Sequence, residues 1–187
     1  MAKGSVTNWL SNQVDVLNNV AANMWSVQHL ITGAAYLMGV GFAFKALYTL
    51  KIYGEARTMM SSHTSIKEPV FYFIVAGMLL YFPTGVAIVL NTTFGSSSIL
   101  EYAAVDSNNQ VLSTFFGGPQ FGRPLSIIIQ TIGGIAFIRG WMMIARSASQ
   151  GQPPGGTGKG LMHVFGGILA MNIVATLQII NNTLYGV

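Results

Sequence analysis

Four long stretches of this chain contain no Asp, Glu, Lys or Arg: Ser26 to Phe44, Pro69 to Leu100, Pro124 to Ile138 and Gly160 to Val187. With their flanks, each supplies the roughly 20 residues a helix needs to cross the hydrocarbon core of a bilayer. A soluble domain carries about 25% charged residues. Here the share is 7% of 187 residues, while the apolar share of 51% is ordinary. The depletion of charge therefore decides the class. Too few ions exist to cover a surface that faces water, so lipid is the solvent for most of it.

The pattern predicts an all-α integral membrane protein with four transmembrane helices, at about 27–49, 69–90, 124–145 and 162–184. These form a single membrane domain over 26–187. Residues 91–123 make the loop between the second and third helices. Lys45 and Arg139 fall inside helices but near one end, where a long side chain snorkels to the headgroups. Pro83 inside the second helix predicts a kink there, with Thr84 helping to satisfy the freed carbonyl.

The charges that remain set the orientation. The net charge is +4, but the cations are scattered beside apolar runs, so no direct nucleic-acid binding is expected. Lys45, Lys51, Arg57 and Lys67 surround the first turn between helices. Arg139, Arg146 and Lys159 surround the third. The 91–123 loop holds Glu101, Asp106 and Arg123. The positive-inside rule places both basic loops in the cytoplasm and both termini on the opposite side. Cysteine is absent, which removes disulfides and thiolate chemistry.

Residues 1–25 are too rich in Asn for a cleavable signal peptide. Trp9, Leu10, Val14, Leu17, Val20, Ala21 and Met24 recur at helical spacing. They predict an amphipathic segment on the outer surface or on a partner, against the alternative of a frayed polar tail. In the 91–123 loop, turn residues bracket Ile99–Val105 and Gln110–Phe116. These two pieces pair as a hairpin or lie at the interface, and composition does not choose.

Two segments recur. Gly41-Phe42-Ala43-Phe44-Lys45 resembles Gly134 to Arg139, and Leu90 to Gly95 resembles Ile180 to Gly186. Two duplicated helical hairpins in parallel orientation would produce this. So would chance recurrence of small and aromatic residues in membrane helices.

No constellation for chemistry emerges. Pro153 to Gly160 imitates a phosphate-binding loop, but Pro153 replaces the first glycine and Gly160 the magnesium-binding Ser/Thr. His29, His63 and His163 share no helical face, so no metal site is expected. No Asp or Glu lies inside a predicted span, against a proton- or cation-coupled carrier. The chain is expected to be no enzyme, with no catalytic residue and no cofactor. Thr32, Thr84, Gln130, Thr131, Asn172, Thr176 and Gln178 are expected to bond between helices. Asn172 and Gln178 would line the wall of an oligomeric channel, the competing reading. The helix-packing candidates are small residues: Ala35 with Gly39, Ala136 with Gly140, and Gly166 with Ala170, each pair four apart, extended by Gly133, Gly134 and Gly167. Such faces let backbones approach closely, within one chain or between chains.

The stretches Val27 to Tyr36, Lys45-Ala46-Leu47, Tyr53 to Ser62, Tyr81-Phe82-Pro83-Thr84 and Asn91 to Gly95 resemble the IcmC/DotE family of type IVB (Dot/Icm) secretion systems and related conjugation machines. The resemblance covers most of the first 100 residues and continues in length and hydropathy. It implies a multi-pass, non-catalytic subunit of the bacterial inner membrane. Its expected partners are the lipid bilayer and other inner-membrane secretion subunits, in a homo- or hetero-oligomer. Separate ATPases supply the energy of such machines.

Overall fold

The computed structural model describes residues 2–58, 65–95, 119–149 and 155–185. Among them every regular element is helical: α1 Ala2–Thr58, α2 Lys67–Leu80, α3 Phe82–Phe94, α4 Pro119–Ser147, α5 Gly156–Met171 and α6 Ile173–Tyr185.

α1 runs for 57 residues without interruption. Proline first occurs at Pro69, so nothing before it removes a backbone donor or clashes with the preceding turn. At 1.5 Å per residue the helix is about 85 Å long. The amphipathic segment expected over 1–25 is thus the first part of the same helix as the expected span at 27–49, and that helix continues to Thr58. Interior glycines such as Gly33, Gly41 and Gly54 lower helix propensity by about 1 kcal/mol each. They do not break a helix held on both sides by good helix formers.

The expected second and fourth helices differ more. Each is two helices meeting nearly at right angles, α2 with α3 at 87° and α5 with α6 at 89°. One residue leaves helical dihedrals at each bend, Tyr81 (φ −100°, ψ 27°) and Asn172 (φ −122°, ψ 56°). The backbone bonding around both is the same. Tyr81 N–H donates to the Gly77 carbonyl at 3.0 Å, and Asn172 N–H to that of Ile168 at 3.3 Å. Gly85 N–H donates to the Tyr81 carbonyl at 2.6 Å, and Thr176 N–H to that of Asn172 at 2.9 Å.

The causes of the bends differ. At the first, Pro83 lacks an N–H and sits in the opening turn of α3, where a donor is not needed. The kink expected inside one helix is therefore a full break. At the second there is no proline. The Leu169 carbonyl would pair with Ile173 N–H in a continuous helix; here the Thr176 hydroxyl lies 2.9 Å from it and shares its hydrogen with the Asn172 carbonyl, also at 2.9 Å. A side chain thereby satisfies an acceptor that the bend would otherwise orphan.

α1 lies along α2, and α4 along α5, with α1 and α4 also side by side. Tyr72, Leu79, Val86 and Leu90 from the first bent pair meet Phe137, Ile144, Ile168 and Met171 in one buried cluster. Outside it the surface is apolar: Leu30, Leu37, Phe44 and Met162 are 68–77% exposed. An apolar surface this broad is compatible with a membrane protein. By length and composition two helices, Asn12–Thr58 and Gly122–Ser147, suffice to cross a membrane, or up to four spans if each bent pair counts as one.

The remaining boundaries also shift. α4 starts at Pro119, ahead of the expected 124, and tolerates Pro124 inside its first two turns. α5 starts at Gly156, ahead of 162, after Gly155 at φ +103°. α3 ends on Gly95 at φ +73°, whose N–H returns to the Asn91 carbonyl at 2.9 Å. Both glycines occupy the left-handed region that other residues adopt at a cost. The two pieces at Ile99–Val105 and Gln110–Phe116 lie outside the described residues.

Candidate interaction surfaces and the polar seam

The α4–α5 contact is built backbone to backbone. A Cβ on Gly133 would stand 2.7 Å from Met171 N and 2.8 Å from the Gly167 oxygen. A Cβ on Gly140 would stand 2.7 Å from both Gly160 O and Val164 N. Gly167 and Gly160 meet the return contacts, at 2.8 Å from Gly133 O and 2.9 Å from Gly140 O. On each helix the two glycines are seven residues apart, two turns, hence on one face. That spacing on both helices was the available sequence signal. It brings in Gly160, which the four-residue pairs had missed.

The other packing candidates divide. Gly39 closes on α2, where a Cβ would stand 2.9 Å from Leu80 N. Ala35 is fully buried on the same side of α1. Gly134 is buried with open space beside it. Ala136 and Ala170 are half-buried. Gly166 is exposed, and a Cβ there meets nothing within 4 Å. Among the described residues nothing packs on Gly166, whereas Gly39, Gly133, Gly140 and Gly167 each meet backbone closely.

Among the described residues, three of the four buried polar side chains lie on α4 at its contact with α1, and the fourth is Asn181 on α6. Ser126, Gln130 and Thr131 are 2–8% exposed. Gln28 Nε2 donates to Thr131 Oγ1 at 3.1 Å, and Thr131 Oγ1 itself donates back to the Ile127 carbonyl at 2.8 Å. A cavity of about 190 Å³ opens beside this bond, lined also by His29, Thr32 and, from the two bends, Pro83 and Met171. A second of about 270 Å³ adjoins it, reaching Arg123 and Ser126. The seam can hydrogen-bond water or a small polar guest, but it contains no acid–base pair. Sequence spacing had marked Gln130 and Thr131 but not their meeting with Gln28, 103 positions away.

The chain matches no family model, no curated protein and no solved structure. Its geometry therefore has to carry the reading.

All seven orienting cations are exposed: Lys45, Lys51, Arg57, Lys67, Arg139, Arg146 and Lys159. They collect at one end of the bundle, because the α1–α2 and α4–α5 junctions lie together. Tyr72, in the second turn of α2, hydrogen-bonds Ser149, just past α4, at 2.6 Å. Lys45 Nζ lies 4.5 Å from the centre of the same Tyr72 ring, a cation–π contact.

Of the remaining motifs, Gly156 to Gly160 is the opening turn of α5, with Thr157 bonded to Ser147 at 2.7 Å. No strand precedes it among the described residues. No cluster of metal-ligating side chains occurs among the described residues. His29 stacks edge-on against Trp25 at 4.9 Å, and His163 Nδ1 is 2.9 Å from the Lys159 carbonyl oxygen. His63 lies outside the described residues.

Proposed function

We propose that this chain is a non-catalytic structural subunit of a membrane-embedded secretion or conjugation apparatus in the bacterial inner membrane. The observation that carries the reading is α1. A helix of about 85 Å is nearly three times the roughly 30 Å of hydrocarbon it has to cross. A free-standing carrier has no use for the excess, whereas a subunit that meets components on both sides of a membrane does. Its resemblance to IcmC/DotE proteins over the first 100 residues supports the same assignment. In this reading the basic end faces the cytoplasm, both termini face the periplasm, and the two bent pairs also enter the bilayer. The common bonding at Tyr81 and Asn172, 91 residues apart, favours a duplicated unit of one long helix followed by one bent pair. The exposed Gly166 and the apolar outer face of α1 would meet other subunits.

Affinity purification of the full chain from its native membrane in mild detergent tests this. The expected result is co-elution with other envelope subunits in a particle far larger than the 20.0 kDa chain. Elution as a lone monomer across several mild detergents rejects it.

The polar seam supports a second reading, a small oligomeric channel. Conductance from the purified chain in planar bilayers, lost on Gln28→Leu, would favour it over the first.

A further inference from the structure

A groove of about 610 Å³ lies between α1 and α4 and shares Ile31 with the cavity beside the polar seam. Ala34 and Met38 of α1 and Ile138 and Met142 of α4 form its apolar walls, and Arg139 and Arg146 stand along it. On α4 the groove residues Ile135, Arg139 and Met142 are offset by two positions from Gly133, Phe137 and Gly140. They therefore lie about 200° around the helix from the face that packs on α5.

The length of the groove matches one acyl chain. From Ile135 to Arg146 the groove runs roughly 16 Å along α4, about half of the roughly 30 Å hydrocarbon core and so one leaflet deep. It is apolar along that length and open on one side, so a hydrocarbon chain can lie in it. The charge selects the headgroup. Among the described residues the one ion pair is Lys51 with Glu55 at 3.6 Å, so neither arginine has a carboxylate. An arginine beside hydrocarbon pairs with a counter-charge or snorkels to the headgroups, and its planar fork fits phosphate oxygens.

We infer that this groove holds one acyl chain of an anionic phospholipid whose phosphate is bound by Arg139 and Arg146. The inference rests on the chain being embedded in a bilayer, and not on its belonging to a secretion machine.

Native mass spectrometry of the full chain in detergent, titrated with phosphatidylglycerol or with phosphatidylcholine of the same acyl chains, tests it. One phosphatidylglycerol should bind about tenfold more tightly than phosphatidylcholine, the size expected for a charge-assisted bond. Arg139→Gln with Arg146→Gln should erase that preference, and Arg146→Gln alone should reduce it. Ala34→Leu, at an exposed position, should weaken both lipids by filling the groove. Lys51→Gln with Arg57→Gln, removing equal charge elsewhere, should leave the preference intact. Glycerol phosphate without an acyl chain should displace nothing. Equal binding of both lipids, displacement by glycerol phosphate, or equal loss in the Lys51/Arg57 variant would overturn the assignment.

Discussion

Gly133 and Gly167 face each other so closely that a Cβ added to either would lie 2.8 Å from the carbonyl oxygen of the other. A methyl group there meets backbone, which cannot rotate aside. Gly140 and Gly160 repeat the arrangement two turns away. Gly133→Ala and Gly167→Ala should each destabilise the chain by about 1–3 kcal/mol, the range for overpacking. Gly166→Ala, with nothing within 4 Å, should stabilise it by up to about 1 kcal/mol, the gain in helix propensity. Thermal unfolding in detergent compares the three, and equal loss for Gly166→Ala would contradict the packing described.

The bend at Asn172 relies on a hydroxyl. Thr176→Val keeps the shape of the side chain and removes the donor to the Leu169 carbonyl, leaving an acceptor unpaired. A cost of about 1–2 kcal/mol is expected, with Thr176→Ser close to the parent. If Val and Ser behave alike in unfolding experiments, the hydroxyl is not what closes the bend.

Tyr72 ties the two basic junctions together through Ser149, and its hydroxyl also donates to Glu68 at 3.2 Å. A double-mutant cycle of Tyr72→Phe and Ser149→Ala should give a coupling of about 0.5–1.5 kcal/mol. Additive effects would mean that the junctions do not meet in the membrane-embedded protein.

Orientation can be read directly, because the chain has no cysteine of its own. Single cysteines at Ser11, Ser62 and Ser107 should split in reaction with a membrane-impermeant thiol reagent applied from outside. Labelling is expected at Ser11 and Ser107 and protection at Ser62. Labelling at Ser62 alone would invert the orientation proposed above.

Helical content was legible in the sequence because charge depletion and residue type determine it locally. The regions of the helices around Val27, Pro69, Pro124 and Met162 followed from that alone. The right-angle bends were not legible, for a physical reason. A hydropathy window averages over the residues on both sides of Tyr81 or Asn172 and is blind to direction. Pro83 gave a partial signal for the first bend. The second depends on a bond between Thr176 and Leu169, seven residues apart, which no propensity records. Small residues marked close packing, but sequence could not pair Gly140 with Gly160 or set Gly166 apart, since that depends on how α5 is rotated against α4. The polar seam needed the register between α1 and α4, which brings Gln28 to Thr131.

An uninterrupted rod has a mechanical property that jointed elements lack. With no proline or break between Ala2 and Thr58, a tilt of ten degrees about the midpoint of α1 would swing each end by about 7 Å in opposite directions. Whatever grips one end of this lever is thereby geared to whatever touches the other.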